Sequence, residues 1–473
     1  MDWDDYEGWG KQISTWGANY HKALRDYPVR SQVKPGDILN KLDTSAPEEG
    51  TQMEDIMKDF NDIVIPGMTH WQHPRFFAYF PSNASPPAIL ADFLTSTMAA
   101  QCMLWQTSPA ATEMETRMMD WLRQAVGLPE HFEGVIQDSA SSATLSAVLT
   151  MRERALGWQG NKKGLSGLNQ LRIYVSDESH SSIDRAIWIS GIGQENLVRL
   201  PVVGDLRSSD STALRNAIKA DIAAGYTPAG VICVTGATGM GACDDISAMT
   251  SVAKEFDLYV HVDAAWAGSA MICPEFRYLW QGVDDADSVV LNPHKWLGVQ
   301  FDCSAHFLKA PSDLVQTLAI QPEYLKTYGQ DGVINYSEWS IPLGRRFRAL
   351  KLWFLLRSYG LENLRTRIRN HVHWSITFAK KLHQTSHFEV TTDPILSLFT
   401  FRYLAPCCED HDEFTQQLVE MINNDGRIYL TQTNVDGQRV IRFQTGQFET
   451  TQDDVDQAFY VIQEIAEKLS KSL

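Results

Sequence analysis

Four short, continuously apolar runs in the middle of the chain constrain its fold more than any other feature of the sequence. They occupy residues 172–175, 230–234, 258–262 and 288–291, and amphipathic helical patterns such as 246–256 lie between them. Strands that are apolar at every position are buried on both faces, which is typical of parallel sheets covered by helices. The pattern therefore predicts an α/β fold around a mainly parallel central sheet.

The two ends of the chain have a different character. Near the start, Trp9, Ile13, Trp16, Tyr20 and Leu24 form one apolar stripe at helical spacing. This stripe predicts a helix that packs either on its own domain or on a second subunit.

The C-terminal part mixes strand and helix patterns. Strand-like runs at 396–401 and 440–443 are followed by an amphipathic helical stripe over 455–469. We therefore expect a smaller α+β domain from about residue 360 onward.

The composition argues against several classes of protein. Lys and Arg number 41 against 58 Asp and Glu, a formal net charge of −17, so we expect no nucleic acid or anionic membrane as the main partner. No apolar run approaches the ~18 residues of a membrane-spanning helix, and the acidic residues 1–5 do not resemble a signal peptide. The seven cysteines lie mostly in apolar stretches, so we expect reduced thiols and a cytoplasmic location. The Cys407–Cys408 pair near His411 lacks a second ligand pair, so we expect no metal site.

Polar side chains follow each of the four apolar runs. Thr235, Asp263, Lys295 and His180 each lie just after one of them. Open α/β sheets bind ligands beyond the carboxyl ends of their strands. Each residue alone has an ordinary explanation, such as a helix cap or a solvated lysine, but together they predict one polar edge.

An earlier segment has the character of a phosphate site. Ser139, Ala140 and Ser141 precede a helical run over 143–155, and a helix start with small residues offers free N–H groups and a positive dipole end. A lysine, a carboxylate and a phosphate site are the parts that pyridoxal phosphate needs. The lysine forms a Schiff base, and the carboxylate favours the protonated ring nitrogen by Coulomb attraction.

Two segments spell the motifs of a known family. Residues 292–296, Asn-Pro-His-Lys-Trp, resemble the lysine signature of the group II pyridoxal phosphate-dependent decarboxylases, and residues 261–265, His-Val-Asp-Ala-Ala, resemble that family's aspartate motif. Residues 73–82 and 341–348 are similar to the aromatic-L-amino-acid decarboxylase branch. The resemblance runs from about residue 30 to the C-terminus.

The resemblance implies an architecture. It is the fold type I of pyridoxal phosphate-dependent transferases, which is aspartate-aminotransferase-like, in a homodimer with the active site at the subunit interface. We expect an N-terminal helical segment over 1–85 that packs on the partner subunit, a large cofactor-binding domain over 86–359 and a small domain over 360–473.

The resemblance also implies roles for single residues. Lys295 would carry the Schiff base, Asp263 would pair with the ring nitrogen, and His180 and Ala265 would cover the two ring faces. The other implied cofactor-binding residues are Ser139, Ala140, Ser141, Thr235, Asn292 and His294. The implied substrate-binding residues are Trp71, Tyr79, Phe80, Ser82, Gln101, Met103, His180 and Gly344.

The implied reaction is decarboxylation of an aromatic L-amino acid to its amine and carbon dioxide. Dopa, 5-hydroxytryptophan, tryptophan, tyrosine and phenylalanine all stay open as substrates. Tyr324 matches the family's loop tyrosine, which is linked to the proton donor for Cα. Related aldehyde synthases tend to lack this tyrosine or the stacking histidine, so the presence of Tyr324 and His180 favours simple decarboxylation. An aldehyde synthase, a decarboxylase of a non-aromatic amino acid and a catalytically silent scaffold remain as alternatives.

Overall fold

The structure, a computed structural model, describes residues 2–320, 333–406 and 408–472. Its internal contacts divide the chain into two compact units. One unit is Ser82–Val372, and the other joins Met1–Pro81 to His373–Leu473. The three-part division into 1–85, 86–359 and 360–473 stays a prediction.

The unit Ser82–Val372 contains nine of the described strands and most of the helices. Its strands are β1 (Glu133–Gln137), β2 (Leu171–Ser176), β3 (Leu197–Leu200), β4 (Val202–Val203), β5 (Ser208–Ser209), β6 (Thr227–Val234), β7 (Tyr259–Asp263), β8 (Ser288–Leu291) and β9 (Ser304–Leu308). Its helices are α3 (Pro86–Met98), α4 (Pro109–Val126), α5 (Ala140–Ala155), α6 (Gly160–Lys163), α7 (Ser182–Ile189), α8 (Ser211–Ala223), α9 (Ile246–Glu255) and α10 (Pro311–Leu318). Helix α11 (Arg348–His383) is interrupted at Gly360 and contains the division between the units.

A seven-stranded sheet in the order β1-β9-β8-β7-β6-β2-β3 forms the centre of this unit. Strands β8, β7, β6, β2 and β3 pair in parallel, while β9 pairs antiparallel with both β8 and β1. Since β1 is antiparallel to β9, it runs in the same direction as β8. The predicted mainly parallel sheet is therefore confirmed, with one inserted antiparallel strand that the sequence patterns did not predict.

Burial explains why the apolar runs became central strands. Every residue of β7 and β8 is buried. Helix α5 packs its apolar face on the sheet through residues such as Met151, against Ile232 and Tyr259. A side chain at Gly230 would lie 2.5 Å from the Met151 sulfur, so only glycine permits this close approach of helix and sheet.

The unit formed by the chain ends has its own sheet and core. It contains α1 (Trp3–Ala23), α2 (Met53–Asp59), α12 (His411–Asp425), α13 (Gln452–Ser472) and four strands, β10 (Phe388–Ile395), β11 (Leu398–Tyr403), β12 (Thr431–Val435) and β13 (Gln438–Gln444). The sheet is antiparallel in the order β10-β11-β13-β12. Stacked rings of Phe378 and Phe443, whose centroids are 4.2 Å apart, lie in its core. The strand predicted from residue 396 begins at Leu398 instead, because Leu396 lies in a turn with φ of +55°.

Helix α1 carries the predicted aromatic stripe but buries none of its residues in this chain. Asp2 caps it through a capping box with Asp5. Trp16 contacts residues after the helix, donating from its indole nitrogen to Asn61 at 2.9 Å and packing edge-on against Phe60. Ile13 remains exposed, so the stripe has an uncovered apolar part.

Within the described ranges, no helix combines the length and the apolar character needed to cross a membrane. The described cysteines are free thiols. Cys408 is half-buried, and the others are buried: Cys102, Cys233, Cys243, Cys273 and Cys303. Cys407 lies outside the described residues.

Candidate active site

The strand order brings polar residues from distant parts of the chain to one edge of the central sheet. Strands β1, β8, β7, β6 and β2 share one direction, so their carboxyl ends meet at that edge. We call this edge the rim. The residues that follow these strands there are Ser139 after β1, Asn292, His294 and Lys295 after β8, Asp263 at the end of β7, Thr235 after β6 and His180 after β2.

Asp263 is held by its neighbours on both sides of the rim. It pairs in register with Val234 of β6 and Val290 of β8. Its carbonyl accepts from the Thr235 N–H at 2.9 Å, and its carboxylate Oδ1 accepts from the Ala265 N–H at 3.0 Å. The side chain is nearly buried, at 9% exposure. The carboxylate is therefore fixed in direction and poorly hydrated.

Thr235 and Gly236 form the loop next to Asp263. The Thr235 hydroxyl is fully buried and has no hydrogen-bond partner among the residues that the structure describes. A buried hydroxyl without a partner costs free energy, so this atom fits a ligand that hydrogen-bonds to it. Gly236 has φ of +80°, and a side chain there would lie 2.6 Å from Ala267 and 2.9 Å from the Trp266 ring. Glycine is therefore required where this loop meets the next one.

Lys295 lies in the loop after β8, and backbone hydrogen bonds shape that loop. Its N–H donates to the Asn292 carbonyl at 2.9 Å, and its own carbonyl accepts from the Asn83 side-chain amide at 2.7 Å. The following residue, Trp296, stacks on Trp266 with ring centroids 4.9 Å apart. Because Trp266 belongs to the loop after Asp263, this buried stack connects the lysine loop to the aspartate loop.

His294 and Asn292 are positioned by the first residue of the antiparallel strand β9 and the residue before it. The Nδ1 atom of His294 accepts from the Cys303 N–H at 3.0 Å. Burial, assisted by the nearby Lys295 charge, lowers the pKa of His294 to about 3. The ring is therefore neutral at pH 7, and because Nδ1 is an acceptor, we assign the proton to Nε2. The Ser304 hydroxyl donates to the Asn292 side-chain oxygen at 2.5 Å.

His180 responds electrostatically to both of the predicted catalytic charges. Its Nδ1 accepts from the Ser182 N–H at 3.1 Å, so we assign the neutral-ring proton to Nε2. Burial of the ring lowers the pKa of His180, the Asp263 carboxylate opposes this shift, and the Lys295 ammonium adds to it. The residue is exposed, so the ring is accessible to a ligand. His180, Asp263 and Lys295 therefore share one electrostatic environment.

The start of helix α5 has the properties of an anion site. Ser139 is its N-cap, and the Ser139 hydroxyl accepts from the Ser142 N–H at 3.2 Å. The N–H groups of Ala140 and Ser141 belong to the first turn, which has no intrahelical acceptors. Ser141 is exposed. The helix therefore presents N–H groups and its positive dipole end at the rim.

Three of the predicted substrate residues form a surface beside the rim, within the same unit. The Arg345 N–H donates to the Gln101 side-chain oxygen at 2.7 Å, and a side chain at Gly344 would lie 3.2 Å from the Gln101 amide nitrogen. Met103 accepts from the Ser337 N–H at 3.0 Å through its carbonyl. We call Gln101, Met103 and Gly344 the 101/344 surface. Ser82 begins the same unit, next to Asn83.

Trp71, Tyr79 and Phe80 lie in the other unit, where they form an aromatic group of their own. Trp71 and Tyr79 stack with centroids 5.8 Å apart. Tyr79 has φ of +47°, and the buried Arg442 donates to its carbonyl at 3.3 Å. The Arg442 guanidinium also lies over the Phe80 ring, 5.5 Å from its centroid. Their role in a substrate pocket stays a prediction, and Tyr324 lies outside the described residues.

The sequence patterns missed several residues that hold this site. Asn83, Ser182, Cys303 and Ser304 contact predicted site residues directly. Asn83, Cys303 and Ser304 lie close to their partners in space but not in the sequence, so no local sequence pattern identifies them. Ser182 is the exception, since a hydroxyl two residues after a histidine could have been considered as its hydrogen-bond partner.

Comparison with known proteins identifies the family and its chemistry. The pyridoxal-dependent decarboxylase conserved domain matches residues 35–404. Tyrosine decarboxylase 2 of Narcissus pseudonarcissus is 39% identical over 462 residues, which cover 95% of this chain and 91% of that protein. The predicted cofactor, pyridoxal phosphate, and the predicted carboxy-lyase class are thereby confirmed.

Solved structures with the same fold lead to the same assignment. A crystal structure of Oryza sativa TDC with PLP and tryptamine superposes with a TM-score of 0.96 at 35% identity, covering 99% of both chains. The crystal structure of Rhodiola rosea 4-hydroxyphenylacetaldehyde synthase gives a TM-score of 0.91 at 33% identity, again over 99% of both chains. The predicted fold type I architecture is confirmed. This chain belongs to the pyridoxal-dependent decarboxylase family.

Proposed function

We propose that this protein decarboxylates an aromatic L-amino acid to the corresponding amine, with pyridoxal phosphate bound at the rim. The observation that carries the proposal is the clamped pair of loops bearing Asp263 and Lys295, together with a His180 ring that responds to both charges. The partnerless, buried hydroxyl of Thr235 supports a ligand at this position.

The cofactor would be held from several sides. Lys295 would bind its aldehyde carbon covalently, and Asp263 would face its ring nitrogen. The phosphate would lie at the start of α5, where Ser139, Ala140, Ser141 and the Nε2–H of His294 can donate. The remaining contacts would come from Thr235, Asn292, Ala265 and His180. When bound, pyridoxal phosphate accepts the electron pair that the departing carboxylate leaves behind.

The protein's own side chains would supply charge and orientation. A fixed carboxylate at Asp263 favours a proton on the ring nitrogen opposite it by Coulomb attraction. His180 stays neutral at pH 7 because burial lowers its pKa, so it can cover a ring face without adding a charge. Ser82 would hold the substrate carboxylate, so that the bond to be broken is correctly oriented.

An aromatic substrate is supported by two independent facts. The similar Narcissus protein is named a tyrosine decarboxylase, and the similar Oryza structure holds tryptamine. In this chain, Trp71 and Tyr79 offer stacked rings, and the 101/344 surface of the other unit offers an amide beside a glycine. Dopa, 5-hydroxytryptophan, tryptophan, tyrosine and phenylalanine remain the candidate substrates.

The direct test is an amine-release assay over the twenty amino acids with the enzyme loaded with pyridoxal phosphate. We expect amine and equimolar carbon dioxide from at least one aromatic amino acid. Release of amine only from acidic or thioether amino acids would overturn the aromatic assignment. A protein that binds the cofactor but releases no amine from any amino acid would overturn the enzyme assignment.

The second candidate function is oxidative formation of an aldehyde. The similarity to 4-hydroxyphenylacetaldehyde synthase favours testing it. We propose that Tyr324, with His180, directs the reaction to the amine. With dissolved oxygen as the oxidant, changing Tyr324 to Phe should shift the product from amine toward aldehyde, ammonia and hydrogen peroxide, because the proton supply to Cα is impaired. Peroxide and amine are measured in parallel, and a variant that yields amine at the parental rate without peroxide would contradict this role.

We also propose a cytoplasmic homodimer with the active site at the subunit interface. The free thiols support a reducing compartment. The uncovered apolar residues of α1 and of α3, such as Ile13, Leu90, Phe93 and Met98, support a partner subunit. Light scattering coupled to size exclusion should give twice the chain mass, and a monomer at micromolar concentration would contradict the dimer.

A further inference from the structure

A single buried arginine connects the 101/344 surface to the cofactor end of the sheet. Arg345 directly follows Gly344, and its side chain is only 2% exposed. Its ion-pair partner, Glu115 of α4, is 4% exposed. A buried charge pair of this kind requires several further hydrogen bonds to be tolerated, and this pair has several, although the Nε atom of Arg345 has no partner among the described residues.

The guanidinium of Arg345 bonds to three separate segments. One nitrogen donates both to Glu115 and to the carbonyl of Ile136 in β1, the latter at 3.0 Å. The other terminal nitrogen donates to the Ser340 hydroxyl at 3.0 Å. Glu115 in turn accepts from the Ile136 N–H at 2.8 Å. The position of residue 345 is therefore fixed relative to β1, α4 and the segment before Gly344.

The backbone of Arg345 transmits this fixed position to Gln101. Its N–H donates to the Gln101 side-chain oxygen at 2.7 Å, and its carbonyl accepts from the Cys102 N–H at 3.0 Å. Because the amide oxygen is engaged, the amide nitrogen of Gln101 is turned toward Gly344, 3.2 Å from where a side chain would begin. Gln101 and Gly344 are exposed, whereas their anchor is buried.

The same anchor lies next to the phosphate end of the site. Ile136 precedes Asp138, whose carboxylate accepts from the Ser139 hydroxyl at 2.9 Å. A cavity of about 20 Å³ is lined by Gly344, Ser340, Arg345 and Asp138, among other residues. The 101/344 surface and the start of α5 therefore share Arg345 as a common reference point.

We propose that Arg345, paired with Glu115, is a positioning residue that sets the distance between the 101/344 surface and the phosphate end of β1, and thereby selects which aromatic side chain is accepted. The inference rests on the proposed function, since it concerns the substrate of that site. In this proposal Arg345 acts through Gln101 and Gly344.

The main test is Arg345→Lys, which keeps the charge opposite Glu115 but cannot bond to three segments at once. We expect the ratio of kcat/KM for tyrosine to that for tryptophan to change by at least about fivefold, mostly through KM. Affinity for pyridoxal phosphate and the visible spectrum should stay at the parental values. An unchanged ratio, or a lost or shifted cofactor spectrum, would overturn the inference.

The matched control is Arg152→Lys. Arg152 also forms an ion pair in this unit, in which Arg152 is half-buried and its partner Glu153 is buried, and it donates to the Ser190 carbonyl at 2.7 Å. We expect this variant to keep the parental substrate ratio. An equal change of the ratio would mean that any weakened buried pair has this effect, and would overturn the proposal.

The contacts of Arg345 with Ser340 and with the Cys102 amide can each be tested separately. Ser340→Ala removes one partner of the guanidinium with both charges intact, and should move the ratio in the same direction by a smaller factor. In the cofactor-free protein, hydrogen exchange at Cys102 should accelerate in Arg345→Lys and stay unchanged in Arg152→Lys. If the Cys102 amide of Arg345→Lys exchanges at the parental rate, Arg345 does not hold this segment in place, and the proposal is overturned.

The double variant Gln101→Ala/Arg345→Lys separates this inference from the proposed function. If Arg345 acts in part through Gln101, Arg345→Lys should change the substrate ratio less in the Gln101→Ala background than in the parent. Additive effects would overturn this route. Absence of any aromatic decarboxylation in the parent would instead overturn the proposed function, while the hydrogen exchange result at Cys102 would still report on the anchor.

Discussion

The residues of the rim and those of the 101/344 surface are held in place in different ways. At the rim, three of the predicted cofactor residues have separate supporting contacts: Thr235 and Ala265 contact Asp263, Cys303 contacts His294, and Asn83 contacts Lys295. The 101/344 surface is exposed, and Gln101 and Gly344 depend on the same buried residue, Arg345. The end proposed to hold the cofactor is thus supported by several separate contacts, whereas Gln101 and Gly344, at the end proposed to face the substrate, share a contact with one buried residue. Substitutions at the first should alter cofactor binding, and substitutions at the second should alter selectivity.

The largest effect should come from the rim. Lys295→Ala should lower kcat/KM by at least about 1,000-fold, because the covalent link to the cofactor is lost. The visible absorbance of the bound cofactor should disappear as well. Lys309→Ala, at an exposed lysine after β9, is the control and should retain both. Visible absorbance that survives in Lys295→Ala and is removed in another lysine variant would refute the assignment.

Buried His306, in the sheet beneath the rim, should make the free energy of unfolding depend on pH. Burial lowers the pKa of His306 in β9 to about 3, from an ordinary value of 6.5. Between these two values the unfolded chain binds a proton that the native protein does not, so native stability falls as the pH falls through this window. His306→Gln removes that proton, and the slope of unfolding free energy against pH should decrease by up to about 1.4 kcal/mol per pH unit.

Urea unfolding at a series of pH values between 6 and 4 measures this slope. His131→Gln replaces an exposed histidine and should leave the slope as in the parent. Equal slopes in His306→Gln and the parent would show that His306 is protonated in the native state, which contradicts a dry sheet under the rim.

A smaller effect is expected where one neighbour supports a rim residue. Ser304→Ala removes the donor to the buried Asn292 oxygen, and leaving that oxygen unpaired costs roughly 1–2 kcal/mol. Affinity for pyridoxal phosphate, measured by fluorescence titration, should fall by at most the same free energy, about fivefold to thirtyfold. Ser251→Ala, at an exposed serine of α9, should not change it. A changed substrate ratio with unchanged cofactor affinity would break the distinction between the two regions.

The smallest effect should come from the 101/344 surface. In Gly344→Ser the new side chain begins 3.2 Å from the Gln101 amide nitrogen, so that amide must move by a few tenths of an ångström. We expect kcat/KM for tryptophan to fall about threefold to tenfold relative to tyrosine, since the space for an indole shrinks. Gly50→Ser, with nothing within 4 Å, is the control. A fall in cofactor affinity instead would place Gly344 with the rim.

The residues proposed to carry the chemistry could be recognised because each of them follows a local sequence pattern. Asp263 and Lys295 each follow a short apolar run, and the runs became adjacent parallel strands. Strand β9 could not be recognised in this way. Its residues Ser304 and His306 are polar although they are fully buried, so they break the apolar run that would mark a central strand. The helix predicted from residue 143 begins at Ala140, because the N-cap serine, not the first apolar residue, starts the helix.

The sequence by itself determined the parallel arrangement of strands, the lysine and aspartate at their ends, and the helix start suited to phosphate. These features follow from burial and spacing within some ten residues, which a linear pattern records. Only the tertiary structure decided that β9 enters the sheet antiparallel, and that Arg345 meets a carboxylate 230 residues earlier in the chain. Contacts between residues so far apart in the sequence depend on how the whole chain folds, and a buried ion pair produces no periodic pattern in the sequence.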